Sequence, residues 1–428
     1  MRELRAVVQL QEPGAADGCL LLRTVFGAFA DKRADSLYKS CEAESENVAV
    51  VNLNTPSSAF ISAMSLPSFS IASPKALKQY DADEVGGSPD QPRFEGSFGN
   101  KNPVGTGPFK LKSWSRGDKL ELVRNEDYWG KKPKLKDIVI RPMPDGSARR
   151  QALESAEIDA YDNVSPGDVQ PLEEQDFKVL ERPSFNVAYV GFNQKKKPFD
   201  NPKIRQAVAH ALNREALLKA KYDEGAEVAH EFMPKSLVGY ADDVQKYDYD
   251  PAKAKQLIKE SGVEDLTIDF YYPTNVSRPY MPDPAANFQA FKRDLEKVGF
   301  TVKPKSEPWD GGYTTTTQAG KAPIYLLGWT GDFGDADNFL GTFFQGNQPQ
   351  FGLEAGTEIS DKLNAAETET DADKRAKMYE EINRLVMKDV PGVPYAHTKP
   401  GVAVNPKVKG YVPSPVGGES FAPVTIGE

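Results

Sequence analysis

Two side chains in this sequence have the types and settings to neutralise opposite charges. Asp332 closes the run Gly328-Trp329-Thr330-Gly331-Asp332, and Arg278 sits in Ser277-Arg278-Pro279-Tyr280. A carboxylate set behind glycines can take an ammonium, and the glycines let neighbouring backbone N–H and C=O groups approach a bound molecule closely. A guanidinium forks onto a carboxylate through two parallel hydrogen bonds. The residues alone leave plainer roles open. Asp332 reads equally as a turn-capping or solvated acid. Arg278 reads as an exposed loop arginine, and Trp329 and Tyr280 as half-buried core aromatics.

Other chemistry is poorly supplied. The acidic run Asp332, Asp335, Asp337 lacks the spacing and closing glutamate of a calcium loop, and it reads as a polar loop or helix start near Asn338. His210, His230, His397, Cys19 and Cys41 form no C-x-x-C or H-x-x-x-H pattern, so no metal is expected. The two cysteines can form a bridge or stay separate thiols. There is no G-x-S-x-G elbow, Walker A motif or Rossmann fingerprint. Val104-Gly105-Thr106-Gly107 is followed by Pro108, which lacks the N–H that a phosphate cradle needs. Binding without catalysis or cofactor is the expectation. A glycosidase-type carboxylate pair among the many acids stays open.

The elements that position these residues belong to a chain of 428 residues, long enough for two or three domains. Its net charge of −9 argues against nonspecific nucleic-acid binding. No stretch approaches the ~20 apolar residues of a membrane span, and Ala6 to Val8 is too short for the apolar region of a signal peptide. Short β-rich runs alternate with amphipathic helices, an α/β pattern. Asn201-Pro202 and Asp250-Pro251 are cap-and-proline helix starts, and Gly262 and Gly299 are stops. A fourth helix runs from about Asp373, with Met378, Ile382 and Leu385 on its apolar stripe. Strands are expected at Ile138–Ile140, Val187–Phe192, Leu266–Tyr272, Phe300–Val302 and Ile324–Leu327. The run 266–272, the helix 284–298 and the run 300–304 form a βαβ unit. Residues 83–107 read as loop-rich. Boundaries fall near 183–195, before Lys195-Lys196-Lys197, and near 395–402.

Six segments together resemble the extracytoplasmic peptide-binding proteins of ABC importers, the dipeptide- and oligopeptide-binding class (solute-binding protein family 5). They are Asn102-Pro103-Val104-Gly105-Thr106-Gly107-Pro108-Phe109; Asn125-Glu126-Asp127-Tyr128-Trp129-Gly130; Ala152-Leu153-Glu154-Ser155 with Glu157-Ile158-Asp159-Ala160; Phe192-Asn193 to Arg214; Tyr249-Asp250-Pro251-Ala252-Lys253-Ala254; and Gly328-Trp329-Thr330-Gly331-Asp332-Phe333-Gly334-Asp335. Each is weak alone, but they occur in the family's order over some 240 residues.

The resemblance implies a two-lobed, periplasmic-binding-protein-like (type II) α/β fold with a hinge. Lobe I comprises 1–190 and the return 400–428, and lobe II comprises 191–399. The family normally carries a signal peptide and a further piece of lobe I ahead of this chain's first match, so lobe I is expected to be incomplete, with its ligand contacts largely outside the chain. The resemblance implies an extracytoplasmic monomer that serves permease subunits. It assigns Asp332 to a peptide's ammonium and Arg278 to its carboxylate, with Trp329, Thr330, Gly331, Gly328 and Tyr280 around the ligand. Stripping water from both ends of a zwitterion costs several kcal/mol per unpaired charge. A dipeptide therefore needs acid and base about 7 Å apart, and a fixed Arg278 penalises a third residue. A longer peptide, a nickel chelate, haem or a sugar on the same fold is the alternative.

Overall fold

The computed structural model describes residues 25–26, 36–88 and 91–427. They form two compact units: the described residues up to Met143 with Lys407–Val412 and the tail from Glu419, and Pro144–Pro406 with Pro413–Gly418.

The first unit is built from antiparallel pairs. Tyr38–Ser45 (β1) pairs with Val48–Leu53 (β2), and Val85–Ser88 (β3) with Gln91–Phe94 (β4). Phe109–Ser115 (β5), Lys119–Arg124 (β6) and Asp137–Ile140 (β7) make a meander. The segment 83–107, expected to be loop-rich, thus holds the β3–β4 pairing and a short helix, Phe98–Lys101, and is loop from Asn102. Backbone pairing needs no apolar alternation, so it left no signal. Cys41 is a buried free thiol, and Cys19 lies outside the described residues.

The second unit carries, in chain order, Ala160–Asp162 (β8), Lys178–Glu181 (β9), Asn186–Phe192 (β10), Thr267–Thr274 (β11), Thr301–Pro308 (β12), Ile324–Thr330 (β13), Gly392–Ala396 (β14) and Gly401–Val404 (β15). Five of them make a mixed sheet in the order β12-β11-β13-β10-β14. β11 runs parallel to β12 and β13, while β10 is antiparallel to β13 and β14. The carboxyl ends of β11, β12, β13 and β14 and the amino end of β10 therefore share one edge. The remaining three form a separate antiparallel sheet, β8-β15-β9. The chain passes between the sheets twice, at 182–186 and 397–401. The two passages run side by side, with Arg182 N donating to Pro400 O at 3.0 Å.

The helices begin where cap chemistry dictates. Pro202–Ala211 (α1) is capped by Asn201, Pro251–Ser261 (α2) by Asp250, and Pro284–Val298 (α3) by Asp283. Each has proline in its first turn, where no donor is wasted. Gly262 at φ 67° and Gly299 at φ 112° end the last two in the left-handed region. α3 is the crossover between the parallel β11 and β12, as the βαβ reading expects. Asp337–Phe344 (α4) and Ala372–Asp389 (α5) complete the set used below. On α5 the expected stripe is displaced. Met378 and Leu385 are only half-buried, and the face centres on Tyr379, Ile382, Asn383 and Val386. Tyr379 and Asn383 bury polar groups on partners of their own, Asp337 and Gly239 O, which hydrophobic periodicity cannot anticipate.

One buried acid has a clear thermodynamic signature. Glu231 is fully buried and accepts from Ala241 N. Burial pushes its carboxyl up to about 9, against the opposing bond from Ala241. The unfolded chain releases this proton near pH 4.5 while the folded chain keeps it, so the contribution is intact below pH 4.5 and is lost as pH rises toward 9. Glu231→Gln is expected to stabilise the protein by on the order of 5 kcal/mol at pH 8 and by next to nothing at pH 4.5. Parallel thermal melts of both proteins across that range would show the gap opening; a pH-independent gap would refute it.

Candidate functional site

The edge shared by the five-stranded sheet gathers the residues singled out above. In open α/β sheets, ligands bind outside the carboxyl ends of the strands. Arg278 follows β11, Asp332 follows β13, and Trp309 follows β12. Because β11, β12 and β13 are parallel, all three side chains emerge at one end.

β13 is longer than its apolar run suggests. Gly328, Trp329 and Thr330 continue the strand, because Ala188, Val187 and Asn186 of β10 pair with them. Gly331 N then donates to Phe185 O at 2.9 Å. On the other side, β13 pairs with β11 only at Ile324 and Tyr325. Beyond those positions Tyr313 stands between the strands. It is fully buried, and its hydroxyl bonds the carbonyls of both Tyr271 and Leu326. The pairing of β11 with β13 thus stops short of the edge that carries Arg278 and Asp332.

The two glycines of this run serve the protein's own packing. A Cβ at Gly328 would lie 2.3 Å from Tyr280 Cδ2 and 2.5 Å from Val187 O, and one at Gly331 would lie 2.2 Å from Phe185 Cε1. The close approach that the sequence suggested for a ligand is taken here by Tyr280 and Phe185. Tyr280 is itself a core residue at 5% exposure. Gly328→Ala should destabilise the protein by about 1–3 kcal/mol through overpacking against that ring. Chemical denaturation would measure it, and an unchanged midpoint would mean that Tyr280 moves aside freely.

Asp332 is half-buried and held by Asn338. The Asp332 N–H donates to Asn338 Oδ1 at 2.7 Å, and Asn338 Nδ2 donates to Asp332 Oδ2 at 3.2 Å. Burial raises the Asp332 carboxyl above its ordinary value, and the Asn338 bond opposes the rise. Asn338, almost fully buried in the first turn of α4, is the partner that sequence reasoning missed. Its only signal was its place after the acidic run. That run is not a cation site: Arg375 pairs bidentately with Asp335 at 2.9 and 2.7 Å. Among the described residues no cluster of three acids, histidines or cysteines has metal-holding geometry.

Arg278 lies half-buried with its guanidinium 4.1 Å from the centroid of the Trp309 ring. Its Nε is buried without a hydrogen-bond partner, and the side chain makes no ion pair among the described residues. Its backbone is pinned by reciprocal bonds with Met281 at 3.1 and 2.9 Å. The next residue is tied to the passage at 397–401, where the Thr398 hydroxyl donates to Pro279 O at 2.8 Å. Asn186 holds Thr398 in turn, accepting from Thr398 N at 3.0 Å and donating to Thr398 O at 3.1 Å. Trp329 is half-buried, edge-on to Phe343 at 6.0 Å, and Thr330 is half-buried at the strand end. The edge therefore offers an acid with one oxygen engaged by an amide and an uncompensated guanidinium on an aromatic face. Such a pair suits a ligand with a cation at one end and a carboxylate at the other.

Comparison with known proteins gives concordant results. Residues 22–351 match the bacterial extracellular solute-binding proteins, family 5 middle region. The chain is 32% identical over 388 residues to the dipeptide-binding protein of Escherichia coli (strain K12), covering 89% of this chain and 70% of that one. It is 30% identical over 405 residues to heme-binding protein A of Haemophilus influenzae, covering 93% of this chain and 72% of the relative. Among solved structures, the ABC transporter-associated periplasmic binding protein DppA from Helicobacter pylori in complex with peptide STSA superposes with a TM-score of 0.83 at 27% identity, covering all of this chain and 81% of that one.

Proposed function

Because this chain belongs to the bacterial extracellular solute-binding proteins of family 5, we propose that it captures a short peptide, a dipeptide first of all, for the permease of an ABC importer. The observation that carries the reading is the arrival of Asp332 and Arg278 at one sheet edge, on the parallel strands β13 and β11. Asp332 takes the ammonium and Arg278 the carboxylate. Main-chain groups of Gly328–Gly331 on the side that β11 leaves unpaired, with Trp329 and Thr330, take the peptide backbone in the manner of strand addition. Recognition of two termini and a main chain is indifferent to side chains, which suits a receptor for many peptides.

The family is extracytoplasmic and binds solutes. Among the described residues no helix is long and apolar enough to cross a membrane. The protein works as a monomer without turnover and presents its ligand to permease subunits. The lobe lines proposed here are 1–190 with 400–428, and 191–399. The change from the β8-β15-β9 sheet to the five-stranded sheet and the paired passages at 182–186 and 397–401 support a division near these lines, with the first crossing ahead of β10 rather than inside it. Those passages are the hinge.

Calorimetry against Ala-Ala, its N-acetyl and C-terminal amide forms, tetra-alanine and haem tests the reading. Ala-Ala should bind, and either blocked form should bind far more weakly. Haem binding without any peptide binding would overturn the assignment.

A further inference from the structure

We propose that Trp309 is the positioning residue that fixes the Arg278 guanidinium at its distance from Asp332, and so sets selectivity for a free carboxylate and for ligand length. This inference rests on the peptide-capture reading and deepens it.

Three contacts form a continuous brace across the split between β11 and β13. The Tyr313 hydroxyl is bonded to Tyr271 O on β11 and to Leu326 O on β13, so its position is tied to both strands. The Trp309 indole lies against the Tyr313 ring, with centroids 6.1 Å apart and planes 29° from parallel. The Arg278 guanidinium lies 4.1 Å from the Trp309 centroid. The strands that carry the cation and the acid are thus referenced to one another through Tyr313 and Trp309. Among the described residues no ion pair to a carboxylate holds Arg278. An arginine side chain with many rotamers loses much of its freedom on binding unless it is pre-set. A flat aromatic face is the device that leaves the in-plane N–H edges open for a bidentate carboxylate.

The backbone supports the same role. Trp309 opens a short irregular helical turn, Trp309–Tyr313, in which Gly312 stands at φ 125°. That conformation, which glycine adopts freely, brings Tyr313 back beneath Trp309 within five residues. Trp309 is half-buried and packs on the core of the second unit. One part of the ring is therefore anchored while another meets Arg278.

The test uses the wild type, Trp309→Phe and Trp309→Leu, titrated with Ala-Ala, Ala-Ala-amide and tri-alanine. The wild type should prefer the free acid over the amide and the dipeptide over the tripeptide. Trp309→Leu should lose about tenfold in affinity for Ala-Ala and little for the amide, so both preferences shrink together. Trp309→Phe should fall between, since a smaller ring keeps a face of weaker quadrupole. A merely structural tryptophan would weaken all three ligands in proportion and leave the ratios intact, and that result overturns the proposal while leaving peptide capture in place. A wild type indifferent to the amide overturns the capture reading and this inference with it. Should Trp309→Leu lower Tm by several degrees, Trp309→Phe decides the matter on the same ratios.

Discussion

Asp332→Asn is expected to cut affinity for an unblocked dipeptide by about 2–5 kcal/mol, the usual loss when one member of a desolvated charge pair is removed. The substitution is nearly isosteric. The bond from Asp332 N to Asn338 Oδ1 survives it, and an amide oxygen can still accept from Asn338 Nδ2. What disappears is the charge that an incoming ammonium needs once water is gone. Stability should move the other way or stay level. Burial raises the Asp332 carboxyl, so the unliganded protein holds an ionised group where ionisation is costly, and the neutral amide relieves that cost. The pH dependence follows with a definite sign. Ammonium capture needs the carboxylate, so wild-type affinity should fall as pH drops toward a midpoint above the ordinary value of 3.8. The variant should lack that component. Calorimetry of both proteins between pH 4 and 8 reads both effects. Wild-type affinity in Asp332→Asn would remove the ammonium role from this residue.

The reach of the sequence differed between local and distant partners. Helix starts at Asn201-Pro202, Asp250-Pro251 and the stops at Gly262 and Gly299 were legible because cap, proline and glycine act within a few residues. The βαβ unit was legible for the same reason: its strand, crossover and strand are consecutive. The end of β13 was not. Gly328 to Thr330 look like a loop until β10, some 140 residues earlier, supplies Ala188, Val187 and Asn186 as partners. Asp332 and Arg278 came into view through a resemblance, and the parallel run of β11 and β13 is what brings them to one edge. Their supports escaped because each depends on a neighbour remote in sequence. Trp309 lies 31 residues beyond Arg278 and Arg375 lies 40 beyond Asp335. No spacing rule links such residues. The apolar stripe on α5 went astray for a related reason: Tyr379 and Asn383 face inward on the strength of hydrogen bonds, and a hydrophobicity pattern counts them as outward.

Arg375→Met should cost about 3–5 kcal/mol of stability, because it strands buried carboxylates. The Arg375 and Asp335 side chains are only 14% and 7% exposed, and their fork ties the segment between Asp332 and α4 to α5. Arg375 Nη2 also donates to the Tyr379 hydroxyl at 3.0 Å, Tyr379 donates on to Asp337 Oδ1 at 3.3 Å, and Arg375 Nε donates to Ala366 O at 3.1 Å. Burial, aided by Glu367 and Asp335, lifts the Asp337 carboxyl to about 7, and Arg375 restrains that rise. Methionine preserves much of the side chain's packing volume but none of the charge, so its effect isolates the electrostatic part. Protonation removes a stranded charge, so the deficit should be largest near pH 8 and shrink as pH falls below 7, where Asp337 already carries its proton. At roughly 2–4 °C per kcal/mol for a unit of this size, Tm at pH 8 should drop by about 10 °C. A drop under 2 °C would show that the fork contributes no more than a surface pair. Because the same fork anchors the turn that carries Asn338 beneath Asp332, peptide affinity in the folded fraction should fall too, though by less than in Asp332→Asn. Calorimetry well below the melting temperature separates the two: a variant that is less stable yet binds as the wild type does would place Arg375 in the scaffold alone.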